Sequence, residues 1–271
     1  MCCRWEAWIS LPFTERRSWL TTMTRTLARL FTVAVLFPVI AWGQAPATPT
    51  PSSSDMAKEI AALKAKLADW PQLEHYRAAN TALPPVAAGE QRVIIYGASV
   101  AEYWGTRGPV FFEGKPYIDR GIGGQNSGQL LIRFRQDVIH LHPAAVVFLE
   151  STNDIAQKMT AEASADNWQS IAELAKANGI RMILTSITPS NHFPWSPELH
   201  PAETIRQRNA WLKDYAASHS LVYVDFFPVL ANAEDGMKAD LTVDGVHPNT
   251  QGYAAMAPLV QAGIDQALGE K

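Results

Sequence analysis

Cysteine is almost absent from this 271-residue sequence, and both cysteines, Cys2 and Cys3, lie at its N-terminal end. A chain that has lost this end can form no disulfide, so it must be held together by its hydrophobic core. Runs of lysine and arginine are also lacking, which argues against nucleic acid and against an anionic membrane surface as partners. No spacing of histidine and acidic residues resembles a set of metal ligands. We therefore expect neither a bound metal nor a cofactor.

Long apolar runs are rare. The one that stands out, Leu30–Trp42, follows Arg25 and Arg29. A basic start, an apolar stretch of about a dozen residues and a small-residue exit are typical of a secretory signal. The run is shorter than the roughly 20 residues that a membrane-spanning helix needs. We interpret residues 1–43 as a signal peptide with an upstream extension, and we expect an exported protein, periplasmic or secreted, without stable membrane insertion. A membrane anchor or a buried helix is the alternative.

The chain that remains after the predicted signal is acidic and begins with a linker. Removing the signal takes away five of the 23 basic residues and two of the 26 acidic residues, which leaves a formal charge of −6. Residues 44–54, QAPATPTPSSS, contain only small residues, proline, threonine and glutamine. Such a segment cannot bury a core, so we predict a disordered linker.

Two further segments follow the linker. Residues 55–90 are predicted to form an N-terminal helical segment that packs on the domain, because Ile60, Leu63 and Leu67 share one helical face. Residues 91–271 are long enough for one α/β domain with a substantial core.

Short apolar runs alternate with amphipathic segments throughout the predicted domain. Runs of strand length lie at Val93–Tyr96, Ala144–Leu149, Met182–Ile187 and Leu221–Phe226, with a weaker strand at Tyr117–Arg120. Helical segments lie at about Ser127–Ile139, Ala161–Asn178, Pro201–Ser218 and Gln251–Leu268. Continuous apolar strands between helices indicate parallel strands buried on both faces. The pattern predicts an α/β fold with three α/β/α layers, whose ligand site lies beyond the carboxyl ends of the strands.

Ser99 follows the first predicted strand, at the edge where such a site is expected. A serine hydroxyl becomes an effective nucleophile only when a base, usually histidine, removes its proton. His192 and His200 lie after the fourth strand and are not excluded by position. His247 lies before the last predicted helix, and Asp244, three residues earlier, can reach one imidazole nitrogen while the other points elsewhere. A helix-capping turn with a surface histidine is the alternative for this pair.

Acyl transfer also needs hydrogen-bond donors aimed at a developing oxyanion. Three candidates are the N–H of Ser99 at a helix start, the N–H of Gly124 in a glycine-rich turn and the side-chain amide of Asn153. Each has an ordinary alternative, since Gly123 and Gly124 can be plain turn glycines and Asn153-Asp154 can cap the next segment. All of the candidates nevertheless fall on one predicted edge of the sheet.

Four segments resemble, in order, the sequence blocks of SGNH hydrolases, also called GDSL esterases/lipases: Gly97-x-Ser99, Gly124 in RGIGGQ, Asn153 in STND and Asp244-x-x-His247. The resemblance covers nearly the whole predicted domain. It implies a flavodoxin-like, five-stranded parallel sheet in the order 2-1-3-4-5, and ester hydrolysis. By this resemblance Ser99 is the nucleophile, His247 the base and Asp244 the group that orients it. The resemblance assigns the oxyanion hole to Ser99, Gly124 and Asn153.

Two positions depart from the family pattern. Ala98 stands where the first block normally has aspartate, and Ser151 stands where the third block normally has glycine. Neither position supplies the triad or a side-chain oxyanion donor. Because strands one and three are neighbours in the implied order, we hypothesise that Glu150 partly replaces the missing carboxylate. Asp154 is a second candidate for supporting the site.

The expected substrate is a small-molecule or glycan ester with a short acyl group, and the family resemblance suggests deacetylation of carbohydrates. Aromatic residues follow the first and fourth strands, and among them Trp104 is a candidate for contact with the substrate. Core or loop packing is the ordinary alternative for these aromatic residues. Asn191 and His192 are candidates for contact with the leaving group. The sequence predicts no particular oligomeric state.

Three other functions are alternatives to this interpretation. An α/β-hydrolase needs Gly-x-Ser-x-Gly, whereas Gly97–Ala101 reads GASVA and lacks the last glycine. A phosphate cradle in GIGGQNSG lacks the Lys-Ser/Thr of a P-loop. The main alternative is a catalytically weak or inactive SGNH-fold protein that binds carbohydrate, because Ala98 and Ser151 depart from the blocks.

Overall fold

The computed structural model describes residues 52–150 and 152–269. The predicted signal peptide, both cysteines, most of the predicted linker and Ser151 lie outside the described residues. Within the described ranges, every helix is either too short or too polar to span a bilayer.

Five parallel strands form a single sheet in the order β2-β1-β3-β4-β5. The strands are β1 (Val93–Gly97), β2 (Tyr117–Gly121), β3 (Ala145–Leu149), β4 (Arg181–Thr185) and β5 (Val222–Val224). Gly97 pairs with Gly121 on one side and with Leu149 on the other, so the carboxyl ends of three strands meet at one rim. The predicted strand order and fold class are confirmed.

Ten α-helices lie in the described part of the chain. They are α1 (Ser53–Ala68), α2 (Arg77–Ala82), α3 (Ser99–Glu102), α4 (Trp104–Arg107), α5 (Ser127–Asp137), α6 (Asn153–Ala156), α7 (Ala161–Ala177), α8 (Ala202–Ser218), α9 (Phe227–Leu230) and α10 (Thr250–Leu268). Short 3₁₀ turns occur at Pro109–Phe111, Ile139–Leu141 and Ala239–Leu241.

Each face of the sheet carries its own hydrophobic core because alternate strand residues point to opposite faces. On one face, called the α5 face, Ile94 and Tyr96 pack with buried residues of α5, α7 and α8. On the other, called the α10 face, Val93 and Ile95 pack with buried residues of α3, α4 and α10. The result is the predicted three-layer sandwich.

Two helix caps fix the segments that enter the rim. The Asn126 side chain accepts the Gln129 N–H and the Gln129 side chain accepts the Asn126 N–H, each at 3.1 Å, which forms a capping box at the start of α5. At α10 the Asn249 side chain accepts the Gly252 N–H at 3.0 Å. Both helices therefore begin directly after turns that reach the site.

The N-terminal segment differs from the prediction in two respects. Helix α1 begins at Ser53, so the last two residues of the predicted linker are helical. No residue of α1 is buried, and Ile60, Leu63 and Leu67 are 49–72% exposed. The packing predicted for residues 55–90 is therefore wrong for α1, because periodicity identifies an apolar face but not the surface it contacts.

The remainder of the segment does pack on the domain. The Tyr76 hydroxyl donates to the Gly121 carbonyl at 2.5 Å, at the end of β2. The Gln125 side chain donates to the Pro71 carbonyl at 2.8 Å, next to the turn that carries Gly124. Residues after α1 thus brace the strand and turn that lead into the rim.

Candidate active site

Ser99 is the first residue of α3 and follows β1 after a single intervening residue, the buried Ala98. The first N–H groups of a helix have no partner within the helix, so this position combines a hydroxyl with backbone donors. The Ser99 Oγ lies 2.9 Å from Nε2 of His247, although 148 residues separate the two in sequence. The structure therefore brings the predicted nucleophile and base into hydrogen-bond contact.

Asp244 holds the opposite side of the same imidazole. Its Oδ2 lies 2.7 Å from Nδ1 of His247, and its Oδ1 accepts the backbone N–H groups of Val246 and His247 at 3.0 and 2.8 Å. Partial burial opposes ionisation, but these hydrogen bonds outweigh it and hold the pKa of Asp244 below its ordinary value. An ionised carboxylate accepts a hydrogen bond from a protonated Nδ1, which leaves Nε2 unprotonated and able to accept the proton of Ser99.

The turn that carries this pair is held by its own residues. The Thr242 hydroxyl accepts the Gly245 N–H at 2.9 Å and donates to the His247 carbonyl at 2.8 Å. Gly245 has φ +84°, a conformation that favours glycine. The acid–base pair is thus positioned by contacts within a few residues of chain.

The three predicted oxyanion donors meet the predicted nucleophile and base in one open cleft of about 400 Å³. Ser99, Gly124, Asn153 and His247 all line it. Every residue that the sequence analysis assigned to nucleophile, base or oxyanion donor therefore lies at a single site on the rim.

Two side-chain hydrogen bonds fix the segments that carry the donors. Gly124 has φ +78°, and its carbonyl accepts from the Gln157 side chain at 3.0 Å. The Asn153 amide nitrogen donates to the Gln125 carbonyl at 2.9 Å.

Asp154 anchors the segment next to Asn153. It is fully buried, and its carboxylate accepts the N–H and the hydroxyl of Ser127 at 2.7 and 2.6 Å. Arg208 lies 3.8 Å from the same carboxylate. The contact joins α6 to the start of α5, which is the geometry expected of a supporting residue.

The guanidinium of Arg133, which the sequence analysis missed, lies fully buried under the rim. It donates to the Gly97 carbonyl at 2.7 Å, to the Gln125 side chain at 2.5 Å and to Asp137 at 3.0 Å. Gly97 precedes the nucleophile by two residues, and Gln125 directly follows Gly124. The only sequence signal for this role was the four-residue spacing to Asp137 on the apolar side of α5.

Glu150 is buried at the end of β3, on the α5 face. Burial lowers the pKa of Arg208, and the charges of Asp154 and Glu150 oppose this shift. Glu150 therefore lies within electrostatic reach of Arg208. Its predicted role as a replacement for the carboxylate missing at Ala98 stays a prediction, and Ser151 lies outside the described residues.

Three predicted substrate contacts lie away from the cleft. Trp104 is fully buried between Phe111 and Tyr253, so its predicted contact with substrate is wrong. Asn191 packs on the 232–236 turn, and His192 packs on the glycine next to Asp244. Neither lines the cleft around Ser99.

Two other aromatic residues line the cleft instead. The ring centroids of Tyr103 and Trp195 lie 5.3 and 5.9 Å from that of His247. Trp195 is 48% exposed and stacks on the buried Phe193, with an interplanar angle of 3°. Two aromatic rings therefore lie next to the predicted base, and one of them, Trp195, is about half exposed.

Asp119 of β2 is a further carboxylate close to the rim. Burial raises the pKa of Asp119 to about 7, and the charge of Glu102 adds to the shift, while backbone hydrogen bonds from Gly121 and Gly105 oppose it.

Within residues 52–150 and 152–269, histidines and carboxylates form no cluster of three or more that could hold a metal ion.

The fold and the site define a class of protein, and a sequence comparison identifies it. The family described as GDSL-like lipase/acylhydrolase matches residues 94–255, more than half of the chain. The chain belongs to this family, and the predicted membership of the SGNH hydrolases is confirmed. Membership places it among hydrolases of ester bonds.

Solved structures agree with this placement. A proposed acylhydrolase from Bacteroides fragilis is 40% identical, with a TM-score of 0.71, covering 74% of this chain and 99% of its own. A GDSL-like lipase from Bacteroides thetaiotaomicron is 38% identical, with a TM-score of 0.70, covering 73% and 99%. An acetyl xylan esterase, 20% identical with a TM-score of 0.51 and covering 63% and 98%, shares the fold. A search of curated proteins returned no significant match.

Proposed function

We propose that the protein is an exported serine esterase that removes short acyl groups, acetyl foremost, through Ser99, His247 and Asp244. The observation that carries the proposal is the continuous chain of contacts from Asp244 to Nδ1 of His247 at 2.7 Å, and from Nε2 to Ser99 Oγ at 2.9 Å. This is the arrangement in which a base activates a serine and a third group orients the base.

In the proposed reaction His247 accepts the Ser99 proton as Oγ attacks the acyl carbonyl. The resulting oxyanion accepts hydrogen bonds from the Ser99 N–H, the Gly124 N–H and the Asn153 amide. Collapse of the tetrahedral intermediate breaks the ester C–O bond, and His247 returns its proton to the departing alcohol. Water, deprotonated by the same imidazole, then attacks the acyl carbon of the acyl-enzyme. Collapse of this second tetrahedral intermediate breaks the bond to Ser99 Oγ, His247 returns its proton to Oγ, and the acid is released.

The cleft favours a carbohydrate as the leaving group. The alcohol departs next to His247, where Trp195 presents a rigid, half-exposed aromatic face. Flat aromatic faces pack well against the apolar faces of sugar rings. The fold shared with an acetyl xylan esterase is consistent with this substrate class.

Substitution of the nucleophile tests the chemistry. Ser99→Ala should abolish p-nitrophenyl acetate hydrolysis, a loss of about 10⁴-fold or more, while the protein keeps its thermal unfolding midpoint. The matched control is Ser170→Ala, a half-buried serine of α7 that does not line the cleft, which should retain wild-type rates. A fluorophosphonate should label the wild-type protein at Ser99 alone.

The same assay separates the two candidate functions. Carbohydrate binding without ester turnover or serine labelling would instead support the inactive carbohydrate-binding protein.

The substrate class is tested by comparing the hydrolysis of acetylated xylo-oligosaccharides with that of ethyl acetate. Trp195→Ala should raise KM for the oligosaccharide and leave ethyl acetate hydrolysis nearly unchanged. Equal effects on both esters would contradict a role of Trp195 in binding the sugar.

Export is supported by the basic and apolar pattern before residue 44. We expect a fusion that carries residues 1–43 to deliver a reporter out of the cytoplasm. The same fusion with Arg25 and Arg29 replaced by glutamate should be retained.

A further inference from the structure

The turn that carries Gly124 is tied to the helix that carries the nucleophile. The N–H of Gly123 donates to Oε2 of Glu102 at 3.0 Å. Glu102 is the last residue of α3, three residues after Ser99. One carboxylate thus links the backbone that presents the nucleophile to the backbone that presents an oxyanion donor.

Close packing leaves this carboxylate little freedom. A Cβ placed on Gly121 would overlap the backbone nitrogen of Glu102, so α3 lies directly against the end of β2. A Cβ placed on Gly123 would lie 2.7 Å from Oε2 of Glu102. The Glu102 side chain therefore occupies the space beside the turn, in contact with its backbone.

The far side of the same turn is held by a second side chain. The Gly124 carbonyl accepts from Gln157, and the Gln157 side chain in turn accepts from Asn126 at 2.7 Å. The peptide between Gly123 and Gly124 lies between the two attachments. Each peptide is planar, so restraining the peptides on both sides limits the orientations that this middle peptide and its N–H can adopt. Two successive glycines without such attachments would be conformationally free.

We infer that Glu102 is a positioning residue of the active site, which aims the Gly124 N–H at the oxyanion by holding Gly123. The inference rests on the proposed function, because it assigns Glu102 to the oxyanion hole of that reaction. A hydrogen-bond donor of this kind acts mainly on the transition state, so its misalignment lowers kcat more than it raises KM.

Three substitutions separate position from charge. Glu102→Gln keeps an acceptor oxygen at the same reach and removes the charge. Glu102→Asp keeps the charge and shortens the reach by one methylene. Glu102→Ala removes both. If position matters, the Gln variant retains activity and the Asp and Ala variants lose it.

We expect kcat for p-nitrophenyl acetate to fall about 10- to 100-fold in Glu102→Ala, less than the 10²–10³ for complete loss of a donor, with KM within about twofold. Glu102→Asp should fall by a smaller factor, and Glu102→Gln should stay within about threefold of the wild type. The control is Glu113→Ala, an exposed glutamate before β2, which should behave as the wild type.

A transition-state analogue gives a readout that a merely structural role would not change. Phenylboronic acid forms a tetrahedral adduct on the serine, and its Ki should rise across the three variants by the same factor as kcat/KM falls. Unfolding midpoints check that each variant is folded, and Glu102→Asp serves if Glu102→Ala does not fold.

Wild-type kcat in the Ala or Asp variant would overturn the inference, as would equal losses in the Gln and Ala variants or a Ki that stays constant while kcat falls. A wild-type protein that neither hydrolyses esters nor reacts at Ser99 would overturn the proposed function itself. Normal wild-type activity, together with Glu102 variants whose kcat and Ki equal those of the wild type, would overturn only the role of Glu102.

Discussion

The two halves of the proposed active site are held in different ways. The acid–base half, Asp244 and His247, is fixed by a turn whose hydrogen bonds join residues at most five positions apart. The oxyanion half, Gly124 and Asn153, is fixed by contacts between segments that are 21 to 33 residues apart. A local motif can therefore supply one half, whereas the other half needs the folded sheet.

The two halves also differ in chemistry. The α10 face, from which α10 and its preceding turn supply the base, has a core of apolar and aromatic side chains. Under the oxyanion half, the α5 face buries a set of charged side chains: Arg133, Asp137, Glu150, Asp154 and Arg208. Buried charges are stable only when paired and hydrogen-bonded, so this half combines positional precision with sensitivity to substitution.

Breaking the acid–base half should have the largest effect. We expect His247→Ala to lower kcat about 10⁴- to 10⁶-fold. The factor by which Asp244→Ala lowers kcat should be about 10 to 100 times smaller than that of His247→Ala. Steady-state kinetics with p-nitrophenyl acetate measure both. The control is the exposed His200→Ala, and a His247→Ala variant within tenfold of the wild type would contradict the assignment.

A change in the oxyanion half should be smaller and more selective. Asn153→Ala removes one donor, so kcat should fall about 10²- to 10³-fold while KM changes little. Asn178→Ala, in an exposed position at the end of α7, should leave both parameters unchanged. A loss that appears only in KM would show that Asn153 binds the ground state rather than the oxyanion.

Removing a buried charge should change the free energy of unfolding more than it changes turnover. Arg133→Met leaves Asp137 buried without its partner, and loss of one member of such a pair costs about 3–5 kcal/mol of unfolding free energy. Urea unfolding measures the change. Arg135→Met, two residues along the same helix and exposed, should change it by less than about 0.5 kcal/mol. Similar losses in the two variants would contradict the buried-pair interpretation.

Asp119 should give the smallest effect, visible as pH dependence. Its ordinary pKa of 3.8 rises to about 7 in the folded protein, so between these values the folded chain keeps a proton that the unfolded chain releases. Stability should therefore fall as pH rises from about 4 to about 7. Asp119→Asn cannot ionise, and its unfolding midpoint should change less between pH 5 and pH 8, by a few degrees.

The control for this pH effect is the exposed Asp166→Asn, measured over the same range. Parallel curves for Asp119→Asn and the wild type would show that another group is responsible.

The comparison also shows what sequence alone could predict. The sheet and its order followed from apolar runs of strand length between amphipathic segments, together with the family resemblance. Asp244 and His247 were recognisable because their spacing and the glycine between them describe one turn. Gly124 and Asn153 were identified only because they follow neighbouring strands and match family blocks.

Other features were beyond the sequence. Arg133 and Glu102 act through carbonyl and N–H groups elsewhere in the chain, and no residue spacing encodes such contacts. Tyr103 and Trp104 are adjacent aromatic residues, yet one lines the cleft and the other is buried, because helical geometry turns neighbouring side chains about 100° apart. The exposed α1 shows that an amphipathic pattern alone does not guarantee a partner surface.

Trp195, the half-exposed aromatic residue of the cleft, has a consequence for how the substrate range of this family could diversify. It lies on a loop whose hydrogen bonds are largely its own, such as those from Ser190 to His192 and from Ser196 to Phe193. None of these bonds involves the residues that would carry out the chemistry. Under the proposed function, mutations in this loop would change which alcohol is accepted more than they change the hydrolytic machinery, as is common where function lies on loops supported by a rigid scaffold.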